Sequence, residues 1–316
     1  MRRRKFLTSS AALVCLMGSA AAEPSRPWRV ALILSGIAGP VDIFRETLHH
    51  LGYEVGKNLL LEIRYARGNN SLLPDLAKEV VSLKPDVIVA DTTPAIEALH
   101  KATSTIPIVI LSASDPIGSG FVRSFAHPGG NITGVANMYD DLTPKTLQFL
   151  HLILPNAKKI AVLTSDNPIH PRLFEIVKRG AETIGISAER FIAETPNDLE
   201  AAFKAMKSAN CEAVYVMADP PRPLVPELAL RFGLPAIYQI DEYIRMGGLM
   251  SYGPDGVAIF VKAASYVDRI LKGNSPAEMP VEQPTTFRFT INFRAAKALG
   301  LAIPESVLAQ ADEVIE

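Results

Sequence analysis

Two stretches end apolar runs in residues able to hold a ligand. Val87-Ile88-Val89-Ala90 stops at Asp91-Thr92-Thr93-Pro94, and Ile106-Pro107-Ile108-Val109-Ile110-Leu111 stops at Ser112-Ala113-Ser114-Asp115-Pro116. Short β-branched runs that end this way predict buried strands feeding helix N-termini. Pro94 and Pro116 suit the first helical turn, where the missing N–H costs no helical bond. Thr92, Thr93, Ser112, Ser114 and Asp115 thus stand with free backbone N–H groups at the C-terminal edge of strands. In open α/β sheets that edge is where ligands sit. Hydroxyls, amides and carboxylates placed there suit holding a small polar molecule.

No constellation for catalysis accompanies them. There is no Walker loop, no G-x-G-x-x-G after the first strand and no G-x-S-x-G elbow. The six histidines, at 49, 50, 100, 127, 151 and 170, lack metal-ligand spacing. His127 sits in a His-Pro-Gly-Gly turn with no evident partner for proton transfer. Asp91, Asp115, Asp219 and Asp241 have acid or base chemistry in principle, but Asp also occupies turns and helix caps for local reasons. The residues therefore argue against an enzyme and require no cofactor and no metal.

The elements that position these residues occur twice. Val214-Tyr215-Val216-Met217-Ala218-Asp219-Pro220 repeats the run ending at Asp91, and Leu234-Pro235-Ala236-Ile237-Tyr238 repeats Ile106-Pro107-Ile108-Val109-Ile110. Gly247-Gly248-Leu249-Met250-Ser251-Tyr252-Gly253 repeats Gly129-Gly130-Asn131-Ile132-Thr133-Gly134. Ile160 to Ser165, with its polar exit through Asn167, mirrors the first strand, Val30 to Leu34, and its exit at Ser35. Strand–helix alternation within each half predicts parallel sheets with helices on both faces. The expected fold class is α/β, two Rossmann-like doubly wound lobes joined by three crossovers. The lobes are expected at residues 28–137 with 250–282, and 138–249 with 283–316. Met250 onward is expected to return to the first lobe, and a helix is expected from Thr143. Asn137 and Tyr139 fall at a crossover, and Tyr238 and Tyr252 at strand exits, positions that favour a ligand wall.

Composition sets the class. The 316 residues suffice for two domains, and 48% hydrophobic with 21% charged residues is a globular balance. A formal charge of −1 gives no nucleic-acid footprint. Residues 1–22 read as a secretory signal: Arg2-Arg3-Arg4-Lys5-Phe6-Leu7, an apolar stretch, then Ala20-Ala21-Ala22. The basic pattern fits a twin-arginine or an ordinary export signal. Cleavage after Ala22 leaves one cysteine, Cys211, at the start of an apolar run, where it reads as a buried small residue.

The mature chain resembles the substrate-binding components of ABC transporters, in the periplasmic group related to tryptophan-binding TrpX. The resemblance rests on Leu51-Gly52-Tyr53-x-x-Gly56-x-Asn58, Ser114-Asp115-Pro116, Pro128-Gly129-Gly130-Asn131-Ile132-Thr133-Gly134-Val135, Gly247 to Gly253 and the tail Ala311-Asp312-Glu313-Val314-Ile315-Glu316. It implies a type I periplasmic-binding fold and a monomer in the periplasm. It also implies capture of a small solute, an amino acid among the candidates, for an inner-membrane ABC permease. A solute-sensing module for a membrane receptor is the alternative. The resemblance implies that Thr92, Thr93, Ser112, Ser114, Ser165 and Asn167 hold a carboxylate, while Asp219 or Asp241 takes an ammonium group. Ser35, Asp115, Asn137, Tyr139, Tyr238 and Tyr252 complete the expected ligand-binding set. Two cleft segments, Ser35 to Val41 and the proline-rich Asp219 to Pro223, are shorter than the family pattern.

Overall fold

The computed structural model describes residues 26–36, 40–219 and 221–316. The expected export signal lies outside the described residues. Two sheets organise the chain. The first is built from β1 (Trp28–Leu34), β2 (Leu59–Tyr65), β3 (Val87–Ala90), β4 (Ile108–Ala113) and β5 (Ile132–Ala136), all parallel in the order β2-β1-β3-β4-β5. Between them run α1 (Val41–His50), α2 (Leu73–Ser82) and α3 (Thr93–Ala102).

The second sheet repeats this plan. After α4 (Tyr139–Ile153) come β6 (Lys159–Thr164), α5 (His170–Thr183), β7 (Ser187–Ile192), α6 (Leu199–Ser208), β8 (Ala213–Val216), α7 (Leu224–Arg231), β9 (Ala236–Tyr238), α8 (Glu242–Arg245) and β10 (Met250–Pro254). The chain continues through α9 (Gly256–Leu271), β11 (Phe287–Asn292), α10 (Phe293–Ala298), α11 (Glu305–Leu308) and β12 (Glu313–Ile315). The order β7-β6-β8-β9-β10 reproduces that of the first sheet, and β11 and β12 extend it.

The parallel strands are apolar on both faces, as burial on both faces demands. In β1, Val30, Leu32 and Leu34 pack with α1 and α9, whereas Ala31 and Ile33 pack with α2 and α3. In β6, Ile160 and Val162 face α4 and α5, while Ala161 and Leu163 face α6 and α7. Burying each large aliphatic side chain contributes about 1.5–3 kcal/mol. The strands and helices therefore form rigid walls, and the polar strand exits are left as the adaptable part.

Two expectations change, and two strands were not expected. Met250–Pro254 does not return to the first lobe; it pairs parallel with β9 and antiparallel with β11. It is the counterpart of β5, as the glycine repeat already implied, and the crossover follows it: α9 packs on α1 and the first sheet. The helix expected from Thr143 begins four residues earlier, with Pro144 inside it. Pro144 falls within the second turn, where one lost backbone bond is tolerated because Tyr139, Leu142 and Thr143 are buried. Last, β7 and β12 were not legible as strands: Ser-Ala-Glu-Arg-Phe-Ile and Glu-Val-Ile carry the polar residues of sheet edges.

Candidate functional site

The C-terminal edges of the two sheets face each other across a cavity of about 120 Å³. One water needs roughly 10–15 Å³ of such space, so the cavity accommodates a multi-atom solute. The first lobe contributes Thr92, Thr93, Ser112, Ser114, Asn137 and the adjoining Tyr139; the second contributes Asn167, Asp219, Asp241 and Glu242. Ile259 and Phe260 of α9 supply an apolar side.

The first-lobe wall is prearranged by its own hydrogen bonds. The Asn137 amide donates to Ser114 Oγ at 2.8 Å and Ser112 Oγ at 3.2 Å. The Ser114 N–H donates to Thr93 Oγ1 at 3.3 Å. Thr92 precedes α3 in extended backbone, so the first N–H groups of that helix point toward the cavity edge. A ten-residue helix supplies a dipole that favours a negative group there.

Each lobe also carries the same Ser–Asp pair, one from the first strand of its sheet and one from the third. The Ser35 N–H donates to both Asp91 oxygens at 3.0 and 2.9 Å, and its hydroxyl donates to Asp91 at 3.0 Å. In the second lobe the Ser165 hydroxyl donates to Asp219 at 3.0 Å. Burial pushes the Asp91 carboxyl up to about 6, against the lowering effect of the Ser35 and Thr92 bonds. Around Asp219, His170 Nδ1 accepts the Ser165 N–H at 3.0 Å, which leaves the proton on Nε2, 3.4 Å from the Ala218 carbonyl. Arg222 Nη2 lies 3.6 Å from Asp219.

Glu242 opens α8 and faces the cavity. Burial pushes its carboxyl up. The same burial, and secondarily the Glu242 charge, push the Tyr139 hydroxyl up. Asp241 is held by the Ser251 hydroxyl at 3.2 Å and by Arg245 at 3.3 Å. Among the described residues, no group of three or more His, Cys, Asp or Glu is placed to hold a metal. Cys211 is buried in the second-lobe core, and burial pushes its thiol up.

Of the expected ligand set, nine residues line the cavity: Thr92, Thr93, Ser112, Ser114, Asn137, Tyr139, Asn167, Asp219 and Asp241. Five do not. Ser35 lies behind Asp91, with both its groups bonded to it. Ser165 borders a separate small void with Asp219 and Arg222. Asp115 adopts left-handed backbone (φ 47°) and turns its carboxylate to the Gly118 N–H at 2.9 Å. Tyr238 is fully buried and stacks on Tyr243 at 4.6 Å. Tyr252 packs edge-on to Phe149 at 5.3 Å, on the opposite side of the second sheet's end. Asp91 and Glu242 line the cavity but were not in the expected set. The repeat supplied a signal for Asp91, since it aligns with Asp219. Glu242 had none, because a Glu opening a helix usually serves the helix.

Contacts across the cleft mouth join the lobes. Asn70 donates to Asp166 at 2.7 Å. Arg172 of α5 bonds Asp140 at 2.8 Å and lies 4.0 Å from Asp115 of the first lobe.

Two doubly wound lobes with facing strand edges and a cleft between them define a type I periplasmic-binding fold. Residues 35–315 match the ABC transporter substrate binding protein family, and the chain belongs to that family. A tyrosine-binding protein of Clostridioides difficile is 26% identical over 275 residues, covering 82% of this chain and 75% of the relative. Among solved structures, a conserved domain protein from Vibrio cholerae superposes with a TM-score of 0.83 at 31% identity. An ABC domain from Streptococcus pneumonia in complex with L-Trp superposes at 0.82 with 26% identity. Each of these two matches covers 92% of this chain and all of the other.

Proposed function

We propose that this chain captures a small polar organic solute of the amino-acid class in the interlobe cavity and presents it to an ABC permease. The observation that carries this reading is the pairing of wall chemistries: hydroxyls, an amide and a helix N-terminus on one lobe, three carboxyl groups on the other. A ligand carboxylate is held by the Ser112, Ser114 and Thr93 side and the first N–H groups of α3, where the dipole favours an anion. An ammonium group is taken by Glu242, with Asp241 and Asp219 beside it. Ile259, Phe260 and Tyr139 cover the remaining carbon skeleton. The tyrosine-binding relative and the L-Trp complex support the amino-acid class.

Binding favours the closed arrangement because the ligand touches both lobes only there. The Asn70–Asp166 and Arg172–Asp115 contacts belong to that closed arrangement. In this reading the first lobe comprises residues 28–137 with 256–282 and the second 138–254 with 283–316. The basic and apolar N-terminal sequence exports the chain to the periplasm. Among the described residues no helix is long and apolar enough to cross a membrane.

The test is a thermal-shift panel of amino acids, small carboxylates, purines and sugars on the mature protein. A ligand at 100 times its Kd stabilises by about 2.7 kcal/mol, a shift of a few degrees or more. Ser114→Ala and Thr93→Ala are expected to remove most of the shift caused by the responding solute. Silence across the panel, or a shift indifferent to both substitutions, contradicts the proposal.

A further inference from the structure

The charge lining the cavity is one-sided. Four carboxyl groups face it, Asp91 from the first lobe and Asp219, Asp241 and Glu242 from the second, and no lysine, arginine or histidine is among the described residues that line it. Two of the carboxylates have cations behind them: Arg222 lies 3.6 Å from Asp219, and Arg245 lies 3.3 Å from Asp241. His170 Nε2 lies 3.7 Å from Asp219, and its Nδ1 accepts the Ser165 N–H. Asp91 and Glu242 have no ion-pair partner among the described residues; Asp91 is bonded by Ser35.

Asp219 is 3% exposed and borders the cavity, but its Oδ2 faces Arg222 Nη2 at 3.6 Å, so the carboxyl groups of the wall without a cation are Asp91 and Glu242. A zwitterionic amino acid brings one positive and one negative group, and so leaves the excess negative charge of the site as it was. A ligand with a second cationic group neutralises it.

We propose, building on the solute-binding reading above, that the cavity selects solutes of net positive charge, a basic amino acid with its ammonium at Glu242 and a second cationic group toward Asp91, over neutral and acidic amino acids. The hydroxyl side around Ser112 and Ser114 keeps its role for the ligand carboxylate. Specificity then arises from unpaired carboxylates that a neutral analogue leaves unsatisfied, which is the stronger form of discrimination.

The test is calorimetric titration of the mature protein with arginine, lysine, citrulline, tyrosine, tryptophan and glutamate. Citrulline matches arginine in shape and lacks its charge. Arginine or lysine is expected to bind at least about tenfold more tightly than citrulline, the ratio that one added charge-assisted hydrogen bond supports. Glu242→Gln, which keeps shape and hydrogen-bonding capacity, is expected to weaken the cationic ligands by about tenfold and to leave its own ligand-free Tm close to that of the parent. Equal binding of arginine and citrulline, or an arginine-over-citrulline preference unchanged in Asp91→Asn, overturns the inference. Tight binding of tyrosine or tryptophan with no response to the cationic probes overturns it while the amino-acid reading stands. Silence with every probe overturns both.

Discussion

Replacing Asp91 by Asn isolates the energetics of the buried carboxyl at the cavity edge. In the folded chain this carboxyl titrates at about 6, against an ordinary 3.8, because burial outweighs the bonds from Ser35 and Thr92. A raised carboxyl binds its proton more tightly in the folded than in the unfolded state. Stability from this group is therefore greatest at low pH, declines as pH rises from about 4 to about 6, and is level above that. The shift corresponds to roughly 3 kcal/mol across that window. Asn does not titrate and still offers one oxygen to the Ser35 N–H. The Tm of the parent minus that of Asp91→Asn is thus expected to fall by on the order of 5–10 °C between pH 4 and pH 7. Other carboxylates cancel in this difference. Scanning calorimetry of both proteins without ligand, at fixed ionic strength, gives the comparison. Parallel curves, or a difference that grows with pH, refute a buried and raised Asp91.

Gly134→Ala places a Cβ 2.3 Å from the Ile110 carbonyl oxygen in a strand residue with φ of 133°; a loss of about 3 kcal/mol or more is expected, read as a lowered denaturation midpoint. Tyr238→Phe removes a buried hydroxyl that has no partner; stability is expected to stay level or rise by about 1 kcal/mol, with ligand affinity unchanged because Tyr238 does not line the cavity. Asp166→Ala breaks the bond to Asn70 across the cleft mouth; stopped-flow release is expected to show a two- to fivefold faster off-rate, in line with about 0.5–1 kcal/mol for an exposed contact, and no change in release would detach this bond from closure.

Much of the fold was legible because it depends on repetition. The apolar runs at Val87 and Val214 are central strands whose pattern needs no partner to be recognised, and their exits at Asp91 and Asp219 occupy matching places in the two lobes. Edge strands such as Ser187–Ile192 hide behind polar residues. The hinge was misplaced because Met250–Pro254 ends in glycine and proline, which read as a crossover but here close a paired strand. At the site, the sequence located hydroxyls and acids near strand ends but not their direction. Ser35 and Ser165 are drawn back by their aspartates, and Asp115 is turned aside by a left-handed backbone. Tyr238 and Tyr252 are absorbed by aromatic packing. Such choices depend on tertiary neighbours tens of residues away, which local spacing does not encode.

The most direct measurement is a crystal structure of the mature protein with the solute that raises its Tm most. The expected result is one ligand between the lobes, its anionic group against Ser112, Ser114 and the start of α3, and its cationic group within hydrogen-bond distance of Glu242. Density for the solute outside this cavity, or a bound ligand that touches only one lobe, would contradict the assignment of the cleft as the binding site.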